Sequence, residues 1–488
     1  MALASPVDYS DTPAAPLTDV PLAVDLDGTL VRTDLLVEAF FVLIRRNPFY
    51  VAAAFFWLLK GRAYLKGQIG RRVTLDVAGL PYHDGLLDFL KRQRARGRRL
   101  ILASGCDERL VRQVADYLRI FDGVLATDGE GNLTGREKRD RLVAEFGERM
   151  FDYAGDSWRD LPVWSSARKA IVVHATKSLS RRVAKVSEVE YVLESREEWV
   201  GTYGRALRLH QWLKNLLVFV PLAMAYPSLN LDALFRTCVA FVAFGLVASS
   251  VYLLNDLIDL PADRHHPHKR QRPFATGALS PLWGMVSSPL LAVLGFLTGL
   301  LLPPAFLGTL VLYWAANLAY SLWLKQIPVL DVIVLAGFYI ARIIGGSVAV
   351  AVWPAPWLLA FSTFLFVSLA LVKRYGELVT MAALDGKEGR ARGYLDTDKE
   401  LLASMGTASG YVAVLVLAIF ISTGGAEGHY TRHQLVWLLC PTLLFWISHV
   451  WLTAHRGKMV EDPLVFTLRD RTSRLAIIAA ALILLAAR

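Results

Sequence analysis

Two hydrophobic patterns divide the chain. Up to about residue 200 short apolar runs alternate with charged stretches, whereas beyond about residue 205 long apolar segments dominate and charge is confined between them. The first pattern predicts a soluble α/β domain and the second a bundle of membrane-spanning helices. Candidate spans lie at 209–226, 232–254, 283–302, 304–323, 328–351, 355–372, 401–423, 434–453 and 473–487. Each is near the length that crosses a hydrocarbon core of ~30 Å, so an all-α polytopic domain of about nine transmembrane helices is expected over 205–488. Lys214 interrupts the first span and the last is short, which makes these two the weakest. Ahead of them the pattern predicts a disordered lead-in at 1–20, a Rossmann-like α/β domain at 21–175 and a linker at 176–204.

The stretch "LLVEAFFVLIRRNPFYVAAAFFWLLKGRAYLKG" reads as two apolar helices broken at Arg45-Arg46-Asn47-Pro48, forming a helical cap over about 33–90. Its halves are too short to span a bilayer separately, so the preferred reading is a cap resting on the membrane interface, with a buried helix pair as the alternative.

Charge refines this picture. The odd connections between spans nearly lack Lys and Arg, while "DRHHPHKRQR", "KRYGEL" and the loop from "AHRGKMV" to "RDRTSR" are basic. Basic loops face the cytoplasm, which predicts a multi-pass protein of the cell (inner) membrane with its N-terminal domain on the cytoplasmic side. The net charge of +10 clusters beside spans without interleaved aromatics, so nucleic acid is not expected as a partner. The N-terminus lacks a basic region followed by an apolar core and does not read as a signal peptide. Cys106, Cys238 and Cys440 show no CxxC spacing and are expected to be reduced.

Four short motifs carry the chemistry of the soluble domain. "VPLAVDLDGTLVRTD" is a strand-length apolar run ending in Asp25, Asp27 and Gly28; "RRLILASGCDERL" ends a second run in Ser104; "GREKRDRLVAEFG" offers Lys138; "FDYAGDSWRDLPV" offers Asp156 and Asp160. In parallel sheets ligands gather at the carboxyl ends of strands, where these residues fall. In this order the motifs resemble the haloacid dehalogenase (HAD) superfamily of phosphatases over roughly residues 20–175. The resemblance implies Asp25 as nucleophile, Asp27 as general acid and then base, Ser104 and Lys138 on the phosphoryl oxygens, and Mg²⁺ held by Asp25 and Asp156 with Asp160 in support. A carboxylate attacks phosphorus only where cations neutralise the mutual repulsion, which Lys138 and a metal supply.

The stretch "NDLIDLPADRHHPHKRQRP" poses a similar problem at a span end. If the helix runs through it, Asp256, Asp259 and Asp263 share one face and repel, so a compensating cation is expected, either a divalent metal or the basic residues that follow. The NDxxDxxxD pattern resembles the UbiA superfamily of membrane prenyltransferases from about residue 205 onward, which implies Mg²⁺-diphosphate binding by Asp256, Asp259 and Asp263, with Asn255 bracing the helix end or the ligand. The superfamily's second motif, DxxxD after the fourth span, is missing, and its place holds Tyr320, Lys325, Asp331 and Arg342. With "HQWLKNLLVFVPLA", "YSLWLK" and "LALVKRYGEL" the chain looks like the polyprenyl-phosphate phosphoribosyltransferases. That implies phosphoribosyl diphosphate and a polyprenyl phosphate as substrates within the lipid bilayer, with Lys214, Lys269, Arg270, Arg272, Lys325, Arg342, Lys373 and Arg374 as the cations that meet the phosphates. Ionisable groups inside apolar segments, here Lys214 and Arg342, point to function. His265, His266 and His268 read as solvated loop residues rather than a metal cluster.

The expected function is therefore a bifunctional enzyme that makes a polyprenyl-phosphoryl-5-phosphoribose and removes its 5-phosphate. The alternative is a UbiA-type prenyltransferase using prenyl diphosphate and an aromatic acceptor, with a regulatory N-terminal domain; a transporter is disfavoured because it leaves the carboxylate cluster at the helix mouth unexplained. Homo-oligomerisation is left open.

Overall fold

A computed structural model describes residues 20–128, 133–194, 199–224, 230–266, 269–385, 393–425, 427, 430–459 and 462–487. The lead-in expected at 1–20 falls, but for Val20, outside the described residues, as does His268. The chain divides into two compact units: one takes residues up to Ala206 together with Leu254–Val286, and the other takes Leu207–Leu253 and Ser287–Arg488. The NDxxDxxxD segment therefore groups with the N-terminal region rather than with the bulk of the spans.

The first unit is built on six parallel strands: β1 (Leu22–Val24), β2 (Leu100–Asp107), β3 (Gly123–Thr127), β4 (Asp152–Gly155), β5 (Lys169–Ala175) and β6 (Glu188–Glu194), in the order β3-β2-β1-β4-β5-β6. The central strands read as continuous apolar runs because both sheet faces are covered. Leu22, Val24, Leu100 and Leu102 pack on one side with Leu35 and Leu43, while Ala23, Ala103, Tyr153 and Trp164 pack on the other. This strand order reverses direction between β1 and β4, the point at which open α/β sheets bind ligands. The stretch expected to be a linker, 176–204, instead continues the fold: a helix at Lys177–Val183 leads into β6, which pairs with β5. Its sequence "EVEYVLE" interleaves charge as a sheet-edge strand does, so it lacks the buried-strand signature.

The cap consists of helices at Leu35–Arg46, Tyr50–Leu59 and Arg62–Gly70, with the first break at the expected Asn47-Pro48. Asp34 caps the first, its Oδ1 accepting from Val37 N at 2.9 Å. The two apolar halves differ in fate. Leu35, Val37, Ala39, Phe41 and Leu43 of the first are buried, whereas only Ala54 of the second is.

The second unit is helical. Among the described residues, seven helices of the chain are long and apolar enough to cross a membrane: Leu231–Ile258, Pro281–Gly299, Pro304–Leu322, Leu330–Ala349, Pro356–Thr380, Asp396–Ser422 and His433–His455. The two weakest predicted spans are shorter than that. Residues Leu209–Phe219 form a tight 3₁₀ helix before a brief α-turn at Val220–Met224, and the last helix runs Arg471–Ala487. Leu330–Ala349 is 56% buried over its apolar window while Pro304–Leu322 is 33% buried, which sets an inner helix against an outer one. Leu312 on the outer helix is 70% exposed, as a lipid-facing residue is.

Candidate active site

The first centre forms where β1, β2 and β4 end. Asp25 leaves β1 with its backbone N donating to Ala154 O on β4 at 2.9 Å. The chain then turns through Gly28 at φ +79°, a left-handed conformation, and a Cβ there would strike the Asp156 carboxylate. The glycine of DxDGT is thus required twice over. Thr29 Oγ1 donates to Asp156 Oδ1 at 3.1 Å and so fixes the acid after β4.

Around this turn the motif residues meet. Lys138 Nζ donates to Asp25 Oδ1 at 2.7 Å and to Tyr153 OH at 3.0 Å. Tyr153 OH donates in turn to Asp160 Oδ1 at 2.8 Å, and Ser157 N and Oγ reach Asp160 Oδ2 at 3.1 and 3.0 Å. Carboxylate oxygens of Asp25, Asp156 and Asp160 lie within 4.8 Å of one another. Asp27 faces the cap: Leu35 N donates to its Oδ1 at 2.8 Å and Ser104 Oγ to its Oδ2 at 3.2 Å. From the cap helix Arg62–Gly70, Lys66 Nζ donates to Gly105 O at 2.5 Å, beside Ser104.

Electrostatics follow from burial. Burial pushes Asp27 up to about 8, with the neighbouring Asp34 adding to the rise. Burial likewise lifts Asp156 to about 8, reinforced by Asp25 and Asp160, and lifts Asp25 only to about 6 because Lys138 opposes it. A cation joining Asp25 and Asp156 would relieve the burial that lifts both, and an all-oxygen donor set suits a hard divalent ion. Asp160 has both oxygens engaged by protein donors, so the residues fit Mg²⁺ with Asp25 and Asp156 as ligands and Asp160 as their support. The motifs located Asp25, Asp27, Ser104, Lys138, Asp156 and Asp160; Thr29, Asp34, Lys66 and Tyr153 were not assigned a role, although all four lie inside the quoted stretches.

The second centre answers the question of the compensating cation. The long helix ends at Ile258 and a short one, Leu260–His265, follows, with Asp259 N on Asn255 O and Asp263 N on Asp259 O, both at 2.9 Å. Helical rise is thus nearly unbroken through the motif. Arg272 Nη1 donates to Asp256 Oδ1 at 3.0 Å and to Asp263 Oδ2 at 2.6 Å, so one guanidinium bridges the two buried aspartates. Burial nevertheless raises Asp263 to about 6, against the pull of Arg272. Asp259 is half-buried, and among the described residues the convergent carboxylate triple is the one around Asp25. Of the three expected metal-binding aspartates, Asp256 and Asp263 are thus joined by Arg272. Lys269 and Arg270 sit on the following turn, Lys269–Gln271, and Arg264 places Nη1 and Nη2 on the two oxygens of Glu38 at 2.7 and 2.5 Å.

The remaining predicted residues lie in the second unit, in separate groups. Lys214 Nζ meets Asp462 Oδ2 at 2.6 Å, Lys373 Nζ meets the same oxygen at 3.4 Å, and Tyr339 OH lies 3.4 Å from Asp462 Oδ1. Although burial opposes it, these two lysines hold the Asp462 carboxyl well below the usual range. Arg374 donates from Nε to Asp331 Oδ2, from Nη1 to Glu377 Oε2 at 2.6 Å and from Nη2 to Tyr320 OH at 2.6 Å, while Tyr394 OH donates to Asp331 Oδ1 at 2.7 Å. Arg342 is held by Asn215 Oδ1 at 2.8 Å, Phe338 O at 2.6 Å and Tyr313 OH at 2.7 Å. Lys325 is half-buried on the turn Leu324–Gln326. Val329 nearby takes φ +68°, a conformation that β-branched residues avoid, with its N on Tyr394 OH at 2.7 Å. Asp462, Asn215, Tyr339, Tyr394 and Glu377 were not singled out in the sequence; their partners lie far away along it or inside apolar runs.

Comparison with known proteins agrees with this layout. Residues 22–165 match the model described as haloacid dehalogenase-like hydrolase, and residues 216–468 match the UbiA prenyltransferase family. The chain is 34% identical to uncharacterized protein y4nM of Sinorhizobium fredii over 93% of its own length and 88% of that protein. It is 36% identical to decaprenyl-phosphate phosphoribosyltransferase of Mycobacterium tuberculosis, over 36% of this chain and 59% of that enzyme, a span well short of the relative's full length. A solved UbiA homolog from Archaeoglobus fulgidus bound to GPP and Mg²⁺ aligns with TM-score 0.45 and 16% identity, covering 58% of this chain and 99% of that one. With a family match across more than half of its length and a relative that it covers almost end to end, the chain belongs to the UbiA prenyltransferase family and carries a haloacid dehalogenase-like domain at its N-terminus.

Proposed function

We propose that the chain transfers 5-phosphoribose from phosphoribosyl diphosphate to a polyprenyl phosphate, and that its HAD-like domain then removes the 5-phosphate from the lipid-linked product. The observation that carries the first half is the state of Asp331. It stands in the region where a prenyl-diphosphate enzyme of this family has its second aspartate motif, yet Arg374 and Tyr394 occupy its oxygens, which leaves cation-rich surroundings suited to a second phosphate. The partial likeness to a decaprenyl-phosphate phosphoribosyltransferase supports the same donor. In this reading a polyprenyl-phosphate oxygen bonds to the anomeric carbon as the bond from that carbon to diphosphate breaks. The acceptor is already anionic, so no base is needed. Asp256, Asp259 and Asp263, with Asn255, handle the Mg²⁺-diphosphate, and Arg272 shifts from the aspartates onto a phosphate oxygen, a geometry in which guanidinium bonds are strong. Lys269 and Arg270, on the turn that follows the aspartates, add positive charge for the diphosphate.

In the second half, Asp25 attacks the 5-phosphate and Asp27, protonated at neutral pH through its burial, gives its proton to the departing ribose oxygen. Asp27 then takes a proton from the water that frees inorganic phosphate and restores Asp25. Lys138 and Ser104 hold phosphoryl oxygens throughout. Asp25 and Asp156 would hold Mg²⁺, whose charge would offset that of nucleophile and phosphate. The reading places the chain in the inner cell membrane with the HAD-like domain in the cytoplasm, where basic loops lie.

The test is direct. Purified protein in detergent, given polyprenyl phosphate and ribose-labelled phosphoribosyl diphosphate, should yield a labelled lipid with one phosphate. Label absent from the lipid, with prenyl groups instead transferred to an aromatic acceptor, would return the function to ordinary prenyl transfer.

A further inference from the structure

The helix Tyr50–Leu59 packs one face, through Tyr50, Ala54 and Trp57, and among the described residues the rest of its apolar surface is left open. Phe49 is 82% exposed, and Phe55, Phe56 and Leu59 are 61, 63 and 70% exposed, an apolar surface that a water-facing helix does not keep. Its ten residues rise about 15 Å, half of a hydrocarbon core, so it is too short to cross. Exposed cations flank it on both sides: Arg45 and Arg46 before, Lys60 and Arg62 after. Between Glu38 and Asp76 the sequence holds seven Lys or Arg and no Asp or Glu.

We infer that this helix lies in the headgroup boundary of an anionic lipid surface, with its aromatic and leucine side chains among the acyl chains and the flanking cations on lipid phosphates. Three observations select a lipid surface over a protein partner. The apolar stretch ends in basic residues on both sides, the composition of an interfacial helix. Acidic residues that anionic lipid would repel are missing from the whole segment. The same compact unit includes Leu254–Val286, which contains the ends of two membrane-spanning helices, so the unit is tied to a membrane face by its own chain.

The geometry gives the docking a purpose. Gly61, at φ +110°, joins this helix to Arg62–Gly70, whose Lys66 bonds Gly105 O beside Ser104. The cap element that covers the aspartate centre is thus the direct continuation of the one that meets lipid. A phosphate ester anchored in the bilayer then enters from the side at which the cap is held, and a freely soluble ester gains nothing from it. This purpose rests on the proposed phosphatase activity; the docking itself does not.

The experiment uses the full chain in nanodiscs, with Cys238 and Cys440 replaced by serine and a polarity-sensitive fluorophore placed on Phe55→Cys, Leu59→Cys or, as a water reference, Arg112→Cys. The labels at positions 55 and 59 should emit to the blue of the reference and lose about half or more of their intensity when the lipids carry bromine near the top of the acyl chains. The loss should be larger with phosphatidylglycerol present than in phosphatidylcholine alone. Water-like emission at both positions in both lipids overturns the inference. So does a blue shift that bromine does not quench and that needs two copies per disc, which identifies a second chain as the occupant.

Discussion

The two aspartate centres of the first unit hold the same charge in opposite ways. At Asp25, Asp156 and Asp160 the cation stands at the edge: Lys138 takes one oxygen of Asp25 and the three carboxylates still converge within 4.8 Å. At Asp256 and Asp263 the cation stands in the middle, where Arg272 bridges both. Residue types alone do not separate the two cases. What separates them is where one basic side chain reaches: a lysine bonded to one oxygen of Asp25 leaves the three carboxylates converging, whereas an arginine arriving from the following loop lies between two of them.

The sharpest way to break the comparison is Asp25→Asn. If the edge-cation centre is a phosphatase nucleophile, this variant should lower dephosphorylation by about 10³-fold or more and leave phosphoribosyl transfer within about twofold. Mass spectrometry of the lipid fraction should then find the 5-phosphorylated product accumulating. Collapse of transfer as well would mean that the two centres form one site.

Asp462 offers the inverted arrangement, one carboxylate between two cations, and so tests the rule from the other side. Asp462→Asn leaves Lys214 and Lys373 facing each other in a buried setting, which should destabilise the second unit by about 3 kcal/mol. Thermal unfolding in detergent measures it, and an unchanged Tm would show that the lysines have another partner.

Arg272→Gln should do less, because its side chain is 25% exposed and water screens what remains. A loss of about 2 kcal/mol is expected without divalent ions, and added Mg²⁺ should restore more stability to the variant than to the natural protein, since Asp256 and Asp263 are then open to a metal. Equal Mg²⁺ responses would mean that the aspartates do not take the ion.

The smallest effect concerns burial with no counter-charge. Burial holds His174 down at about 4, with His83 and Arg32 adding to the depression, and the rings of His83 and His174 meet edge to face at 4.9 Å. The unfolded chain binds the proton more tightly than the folded one, so stability is lost as pH falls from about 6.5 toward 4, by about 1 kcal/mol near pH 5.5. His174→Gln should flatten that part of the pH–Tm curve, and an unaltered slope would assign it elsewhere.

Legibility in the sequence followed the range of the interactions. Asp25, Ser104 and Asp156 were readable because each sits in a short motif in or just after the end of a strand, and the sheet brings these together whatever lies between; Lys138 was readable from its place in the motif order, on the helix Arg136–Phe146. The demand for a cation near Asp256 was readable too, from spacing alone, but that Arg272 is the basic residue bonded to Asp256 and Asp263 depended on how the loop folds back. Asp462 was invisible: it meets Lys214 across 248 residues and sits in an unremarkable "EDPLV". The strand β6 was lost to its interleaved charges, and the segment read as the first span is wound as a 3₁₀ helix over Leu209–Phe219.

The pairing of Glu38 with Arg264 bears on whether this fusion can be taken apart. The two family matches end at 165 and begin at 216, which invites a cut between them. Yet Glu38 is 3% exposed, accepts from Thr33 Oγ1 within the first cap turn, and has both oxygens filled by a guanidinium supplied 226 residues later. A fragment ending before residue 216 lacks that guanidinium and leaves Glu38 with Thr33 alone of these two partners. Recombination that swaps the N-terminal domain for a cousin must therefore import a matching acid at the position of Glu38.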